Sequence, residues 1–154
     1  MRKIARIILW IIGIAFIIIQ FLPAEYPETT LVNENDLITT GKVNNEVSEI
    51  LKTSCYDCHS NETIYPWYSY IAPVKWLVIS DIKVGRKELN FSEWQTFEKR
   101  EQIKILEEIS EEVEEDRMPL FIYTIVHWNA RLDQDQKKQL ISWTEAHTEE
   151  IFGE

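Results

Sequence analysis

The chain carries its hydrophobic residues in three rhythms, and each predicts a different kind of segment. From Ile7 to Leu22 every residue is apolar except Gln20, and Ile4 and Ala5 carry the run back past Arg6. At about 1.5 Å of rise per residue, a helix from Ile4 to Leu22 nearly crosses a hydrocarbon core of roughly 30 Å, with Arg6 snorkelling to the interface. From Pro23 to about Lys42 the pattern is lost in Pro, Asn, Thr and Glu, which reads as a linker. Beyond it, apolar residues recur every three or four positions, the spacing of amphipathic helices.

Five such helices are expected, with an irregular stretch between the first two. Asn44 or Asn45 caps one in which Val47, Ile50 and Leu51 share a face. Tyr65 to Trp76, aromatic and broken by Pro66 and Pro73, wraps irregularly into a short helix through Val84. Asn90 or Ser92 caps a longer helix carrying Trp94, Phe97, Ile103, Leu106, Ile109 and Val113. Pro119 suits the first turn of a short helix reaching Trp128. Asp133 with Gln136 resembles a capping box opening a last helix with Leu140, Ile141, Trp143 and Ile151.

Composition sharpens this into an all-α reading. The chain has 154 residues, 45% apolar and 27% charged, with only four glycines. Strand proteins of this size punctuate themselves with turn glycines far more often. The expected organisation is a membrane anchor at 1–22, a linker at 23–42 and one compact helical domain at 43–154.

Charge excludes one class of partner and suggests another. The net charge is −10, and since residues 1–22 hold Arg2, Lys3 and Arg6 but no acid, the rest carries −13. Nucleic-acid binding needs phosphate neutralisation by Lys and Arg, so it is not expected. A basic protein partner would be steered in by the same field. The three cations also place the N-terminus in the cytoplasm, with everything after Pro23 in the periplasm or exterior. A removable signal peptide has the same basic and apolar regions. No clear small-x-small cleavage site follows the run, which favours a retained single-pass anchor.

Both cysteines of the chain lie in Cys55-Tyr56-Asp57-Cys58-His59. Random placement would give that spacing with a following His about once in four thousand chains. Two thiols three residues apart on one turn can each add to a vinyl group of the same haem, and the adjacent imidazole is then aimed at the iron. Three other uses of the residues compete. A thioredoxin-like redox pair needs a strand before the cysteines, where a helical pattern stands. Zinc needs four ligands, and only His127 and His147 remain to complete them. A disulfide across two residues is strained. Covalent haem, haem c, is the reading the residues favour, with Cys55 and Cys58 binding the cofactor and His59 an iron ligand.

On the other side of the iron an electron carrier needs a sixth ligand. Apart from Met1, Met118 is the sole methionine, and it lies in Asp116-Arg117-Met118-Pro119-Leu120, between the acidic helix and a proline-started one. A thioether there stabilises ferrous iron. His127 is the runner-up, and His147, in the charged last helix, is expected on the surface. His59 should give its second ring N–H to a backbone carbonyl. Trp67, Tyr68, Tyr70 and Trp76 are candidates for the wall of a haem pocket, although ordinary packing explains them equally well. Glu107, Glu108, Glu111, Glu112, Glu114, Glu115 and Asp116 form an acidic run before Met118, either a solvated face or a docking surface for a basic redox partner.

Taken together these residues resemble the haem-binding domain family of bacterial c-type cytochromes. The resemblance rests on Cys55-Tyr56-Asp57-Cys58-His59-Ser60, on Tyr65-Pro66-Trp67-Tyr68 through Ala72-Pro73, and on Met118-Pro119 followed by Tyr123, His127, Ala130 and Leu132. It spans roughly Leu51 to Trp143. It implies a small cytochrome c-like helical domain around one haem, with Met118 in the place of the distal ligand; Leu120 stands where a second proline is expected. The function expected is single-electron transfer without substrate chemistry. The alternative is a haem peroxidase or gas sensor whose sixth iron position is open.

Overall fold

A computed structural model describes residues 2–153, and among them there is no strand. Among the described residues seven α-helices follow one another: α1 (Arg2–Gln20), α2 (Asn45–Ser54), α3 (Tyr56–His59), α4 (Val74–Glu88), α5 (Lys99–Glu114), α6 (Phe121–Val126) and α7 (Gln134–Gly153). Short 3-10 turns at Leu37–Thr40, Trp67–Tyr70, Phe91–Thr96 and Trp128–Ala130 connect them. The all-α expectation holds. Helix α1 is long and apolar enough to cross a membrane, and none of its residues is buried.

Helix starts follow local chemistry. The Asn44 side chain accepts the Val47 N–H at 2.9 Å and so caps α2. At α7 the capping box is complete: Asp133 Oδ1 accepts the Gln136 N–H at 2.8 Å, and Gln136 Oε1 accepts the Asp133 N–H at 3.0 Å. The apolar faces these caps launch meet in one core of Leu37, Val47, Leu51, Phe91, Trp94, Leu106, Leu140 and Trp143 among others. In space α4 packs on α3, α3 on α2, α2 on α7, and α7 on α5.

Several expectations change in detail. The helix anticipated from residue 90 or 92 through Val113 is two elements. Asn90 caps only the 3-10 turn Phe91–Thr96, the chain is extended at Phe97 and Glu98, and α5 starts at Lys99. The break lets Trp94 bury itself, while its carbonyl takes the Gln102 amide at 3.0 Å. Helix α4 runs on to Glu88, one turn past Val84. Pro119 stands ahead of α6 rather than inside it, since Leu120, with ψ 132°, is still extended. His147 is buried, not exposed, between the rings of Trp94 and Trp143, with Nδ1 3.2 Å from Glu150. His147 falls on the side of α7 that faces Trp94, despite the charged residues around it.

Residues 23–42 are not a free spacer, because they lie along the domain as a strap. The Thr30 N–H reaches Asn61 O at 2.8 Å, Tyr26 donates to Ser69 O at 2.8 Å, and Asn33 donates to Ser92 O at 3.1 Å. Leu37 is wholly buried. Beside it Asp36, also buried, accepts hydrogen bonds from the Ile38 N–H at 2.9 Å, the Tyr56 hydroxyl at 3.0 Å and the Ser92 hydroxyl at 3.4 Å. Tyr56 lies between the two cysteines, so the strap is tied to the turn that carries them. Removing one member of a buried polar set strands the others. Asp36→Ala is therefore expected to cost about 2 kcal/mol in urea unfolding. A change within about 0.5 kcal/mol would mean the strap is not part of the fold.

Candidate functional site

The cysteine turn is built by the end of α2. The Cys55 N–H still bonds Leu51 O at 2.9 Å, and Cys55 O in turn accepts the N–H groups of Cys58 at 3.1 Å and His59 at 2.9 Å. Cys55, Cys58 and His59 are thereby gathered on one tight turn. Both thiols are free. Burial pushes the Cys55 thiol up to about 12, aided by Cys58. It pushes Cys58 up to about 11, aided by Asp57 and Asp81 against Arg86. Both sulfurs are thus held as neutral thiols near pH 7, and nothing activates either as a thiolate nucleophile.

His59 sits half-buried with Nδ1 3.3 Å from Leu89 O. A ring nitrogen facing a carbonyl carries the proton, which leaves Nε2 with its lone pair free. Burial lowers the pKa of this imidazole, with the carbonyls of Leu89 and Gly85 opposing, so the neutral ligand form is favoured. The expected carbonyl partner is present, at the C-terminal end of α4.

Gly85 explains how α4 comes that close. A Cβ at this position would lie 2.8 Å from Cys58 O, closer than real Cβ atoms come, and 3.2 Å from Cys58 C. The signal available in sequence was an isolated glycine inside a helical pattern.

A second group joins this turn to the segment that follows Met118. Asp57 Oδ1 accepts the Ile64 N–H at 3.1 Å, and Oδ2 accepts the Tyr123 hydroxyl at 2.8 Å. The Tyr123 ring stacks on His127 at 4.2 Å, and His127 Nε2 lies 2.5 Å from the Tyr68 hydroxyl. Burial and the neighbouring Asp57 raise the pKa of both tyrosines, which keeps them protonated as donors. His127 is therefore engaged at the edge of the site rather than open. Met118 is half-buried and leaves α5 through a tight reversal: Asp116 takes φ 58°, and the N–H groups of Arg117 and Met118 both return to Glu112 O. Asp is among the few residues that enter this left-handed region readily.

The other candidates divide. Tyr68 belongs to the site, and Trp67 beside it is uncovered. Tyr70 and Trp76 do not line the cysteine turn: Tyr70 packs on Tyr26, and Trp76 donates to Pro23 O. Part of the acidic run is neutralised locally, since Arg117 pairs with Glu111, Glu112 and Glu115. Among the described residues no three His, Cys, Asp or Glu side chains gather as a metal site, so the zinc alternative has no ligand set.

A family profile for haem-binding domains matches residues 14–146, most of the chain. The chain belongs to the haem-binding domain family. It is also similar to the cytochrome c peroxidase Ccp of Escherichia coli (strain K12), 26% identical over 114 residues, which are 71% of this chain and 24% of that protein. The chain thus spans about a quarter of the length of that relative. No solved structure matches it.

The residues present in this haem-binding domain fit such a cofactor. Two free thiols and, on the same turn, an imidazole whose Nδ1 faces a carbonyl are donors whose chemistry suits a haem. In and just after α6, Phe121, Ile122, Ile125, Val126 and Trp128 are exposed apolar residues. Gly85→Ala is expected to push α4 off the turn and cost about 1–3 kcal/mol, read as a lowered thermal midpoint and a lower haem-to-protein ratio. Tyr123→Phe keeps the ring and removes one bond to a carboxylate, an expected loss of about 1.5–3 kcal/mol in denaturant unfolding. An unchanged midpoint would mean that bond does not hold α6 to the turn.

Proposed function

We propose that this protein is a membrane-tethered single-electron carrier on the outer face of the cytoplasmic membrane, binding one haem covalently through Cys55 and Cys58. His59 and Met118 are its iron ligands. The observation that carries the reading is the pairing of two free thiols with an imidazole whose Nδ1 already faces Leu89 O, so that Nε2 alone remains to donate. When bound, the haem would supply a reversible one-electron couple. The protein's own residues do the rest. Cys55 and Cys58 fix the macrocycle's edge, Leu89 O holds the imidazole tautomer, and the Met118 thioether, being soft, favours the ferrous form. The strong negative charge of the domain favours a basic redox protein as partner.

A peroxidase reading has the similarity to a cytochrome c peroxidase in its favour, together with the Tyr68–His127 pair as a proton-handling group near the cysteine turn. It requires an open sixth position, whereas the carrier reading requires Met118 in it. Carbon monoxide added to the reduced protein distinguishes them: the carrier binds it slowly or substoichiometrically, and rapid stoichiometric binding would overturn Met118 as a firm ligand.

Covalent attachment has its own test. Purified from cells able to mature cytochromes, the protein is expected to exceed the mass of the bare chain by one haem and to stain for haem on a denaturing gel. In Cys55→Ser with Cys58→Ala both signs should vanish. A bare-chain mass for the unaltered protein would sink the proposal.

A further inference from the structure

The last turn of α1 is gripped by the domain rather than loosely attached to it. Gln20, the polar residue inside the apolar run, donates from Nε2 to Ala72 O at 3.1 Å and accepts the Ala72 N–H at 2.8 Å. Lys75 is 5% exposed, and its Nζ donates to Gln20 O at 3.1 Å and Leu22 O at 2.8 Å. These carbonyls lie at and just beyond a helix C-terminus, where backbone acceptors lack intrahelical partners and the dipole favours a cation. Trp76 Nε1 reaches Pro23 O at 3.3 Å, and Tyr26 continues the seam onto Ser69 O.

Around this joint the surface is apolar and uncovered. Phe21 is 84% exposed, Tyr70 58%, Val74 39% and Ile71 37%. They flank Ala72 and Lys75 directly, which puts them at the mouth from which α1 emerges. Val74 is also remote from the cysteine turn, since its neighbour Lys75 holds α1 while Gly85 abuts Cys58, ten residues on, or about 15 Å along α4, and Tyr70 packs on Tyr26 instead of that turn. A haem on that turn does not account for their exposure.

We propose that this end of the domain rests in the headgroup layer of the bilayer, with Tyr70, Ile71 and Val74 immersed beside the exit of α1. The inference depends on α1 spanning a membrane, as argued above. Continuity with α1 selects lipid as the occupant, because a surface fixed to the last turn of a spanning helix is at the interface, where Tyr and other amphipathic side chains partition. Helix α4 then sets the height of the cysteine turn above the membrane, and the haem site faces partners in one orientation instead of swinging on a tether.

The test uses the full-length, haem-loaded protein in nanodiscs of phosphatidylcholine and phosphatidylglycerol, with a benzophenone amino acid at single positions. Phe16 in α1, Ile71 and Val74 at the joint, and Glu107 on α5, at the far end of the helix stack, are replaced in turn. Lipid adducts are expected at positions 16, 71 and 74 and not at 107. Adducts at 16 without any at 71 or 74 would overturn the docking while leaving the membrane helix intact. Their absence at 16 as well would overturn both. Lys75→Met, checked for an unchanged haem spectrum, should lower the yield at 71 and 74 several-fold and leave 16 unaffected; an unchanged yield at 71 would show that Lys75 does not hold this face down.

Discussion

The contact between Gly85 and the Cys58 carbonyl is the constraint on which the site depends. Because residue 85 has no Cβ, the backbone of α4 meets the backbone of the cysteine turn directly, and the end of the helix overhangs His59. Leu89 O is thereby placed 3.3 Å from Nδ1. Any larger residue would separate the two backbones and move that carbonyl away from the imidazole. The ring would then lose both its tautomer and its direction, which matter more to a ligand than its presence.

The reverse side of the same turn is held by a different kind of interaction. Tyr56, between the cysteines, stacks on Phe91 at 5.1 Å and donates to the buried Asp36. Two aromatic faces give area without direction, and the hydroxyl adds direction by requiring one acceptor at one place. A polar segment of low hydrophobicity is ordered along the domain because its few anchors, Tyr26, Asn33, Asp36 and Leu37, each satisfy a specific group on the helical body. The turn is thus clamped between α4 and the strap, and its geometry does not rely on the four-residue helix α3 alone.

How far these features were legible in sequence depended on their range. The Asn44 cap, the Asp133–Gln136 box, the apolar α1 and the Cys55-x-x-Cys58-His59 run involve residues within a few positions of one another, so spacing alone reveals them. Gly85 on Cys58, Asp36 under Tyr56 and Tyr123 on Asp57 join residues twenty to nearly seventy positions apart. No periodicity encodes such meetings. The strap was misread for the same reason, as its polar residues look solvated until their distant carbonyl partners are known. His147 is hidden for a different reason: its charged neighbours face out, while its own ring falls on the side of α7 that faces Trp94.

Asp57 shows how the parts act on one another. It lies inside the cysteine turn, and both carboxylate oxygens are satisfied by neutral donors, the Ile64 N–H and the Tyr123 hydroxyl, rather than by a cation. Hydrogen bonds from neutral groups disperse the negative charge without cancelling it, whereas an Arg or Lys partner would cancel it. Arg86 lies close enough to lower the Cys58 thiol, and its two Nη atoms donate to Glu28 O and Thr63 Oγ1, neutral acceptors that leave its charge in place. Asp57 and Asp81 therefore act on the Cys58 thiol against Arg86, and a haem held there would feel the balance of the three. The same Tyr123 hydroxyl that leaves this charge in place also holds α6 against the turn. Asp57 thus ties the electrostatics of the turn to the seating of α6, since one carboxylate acts in both.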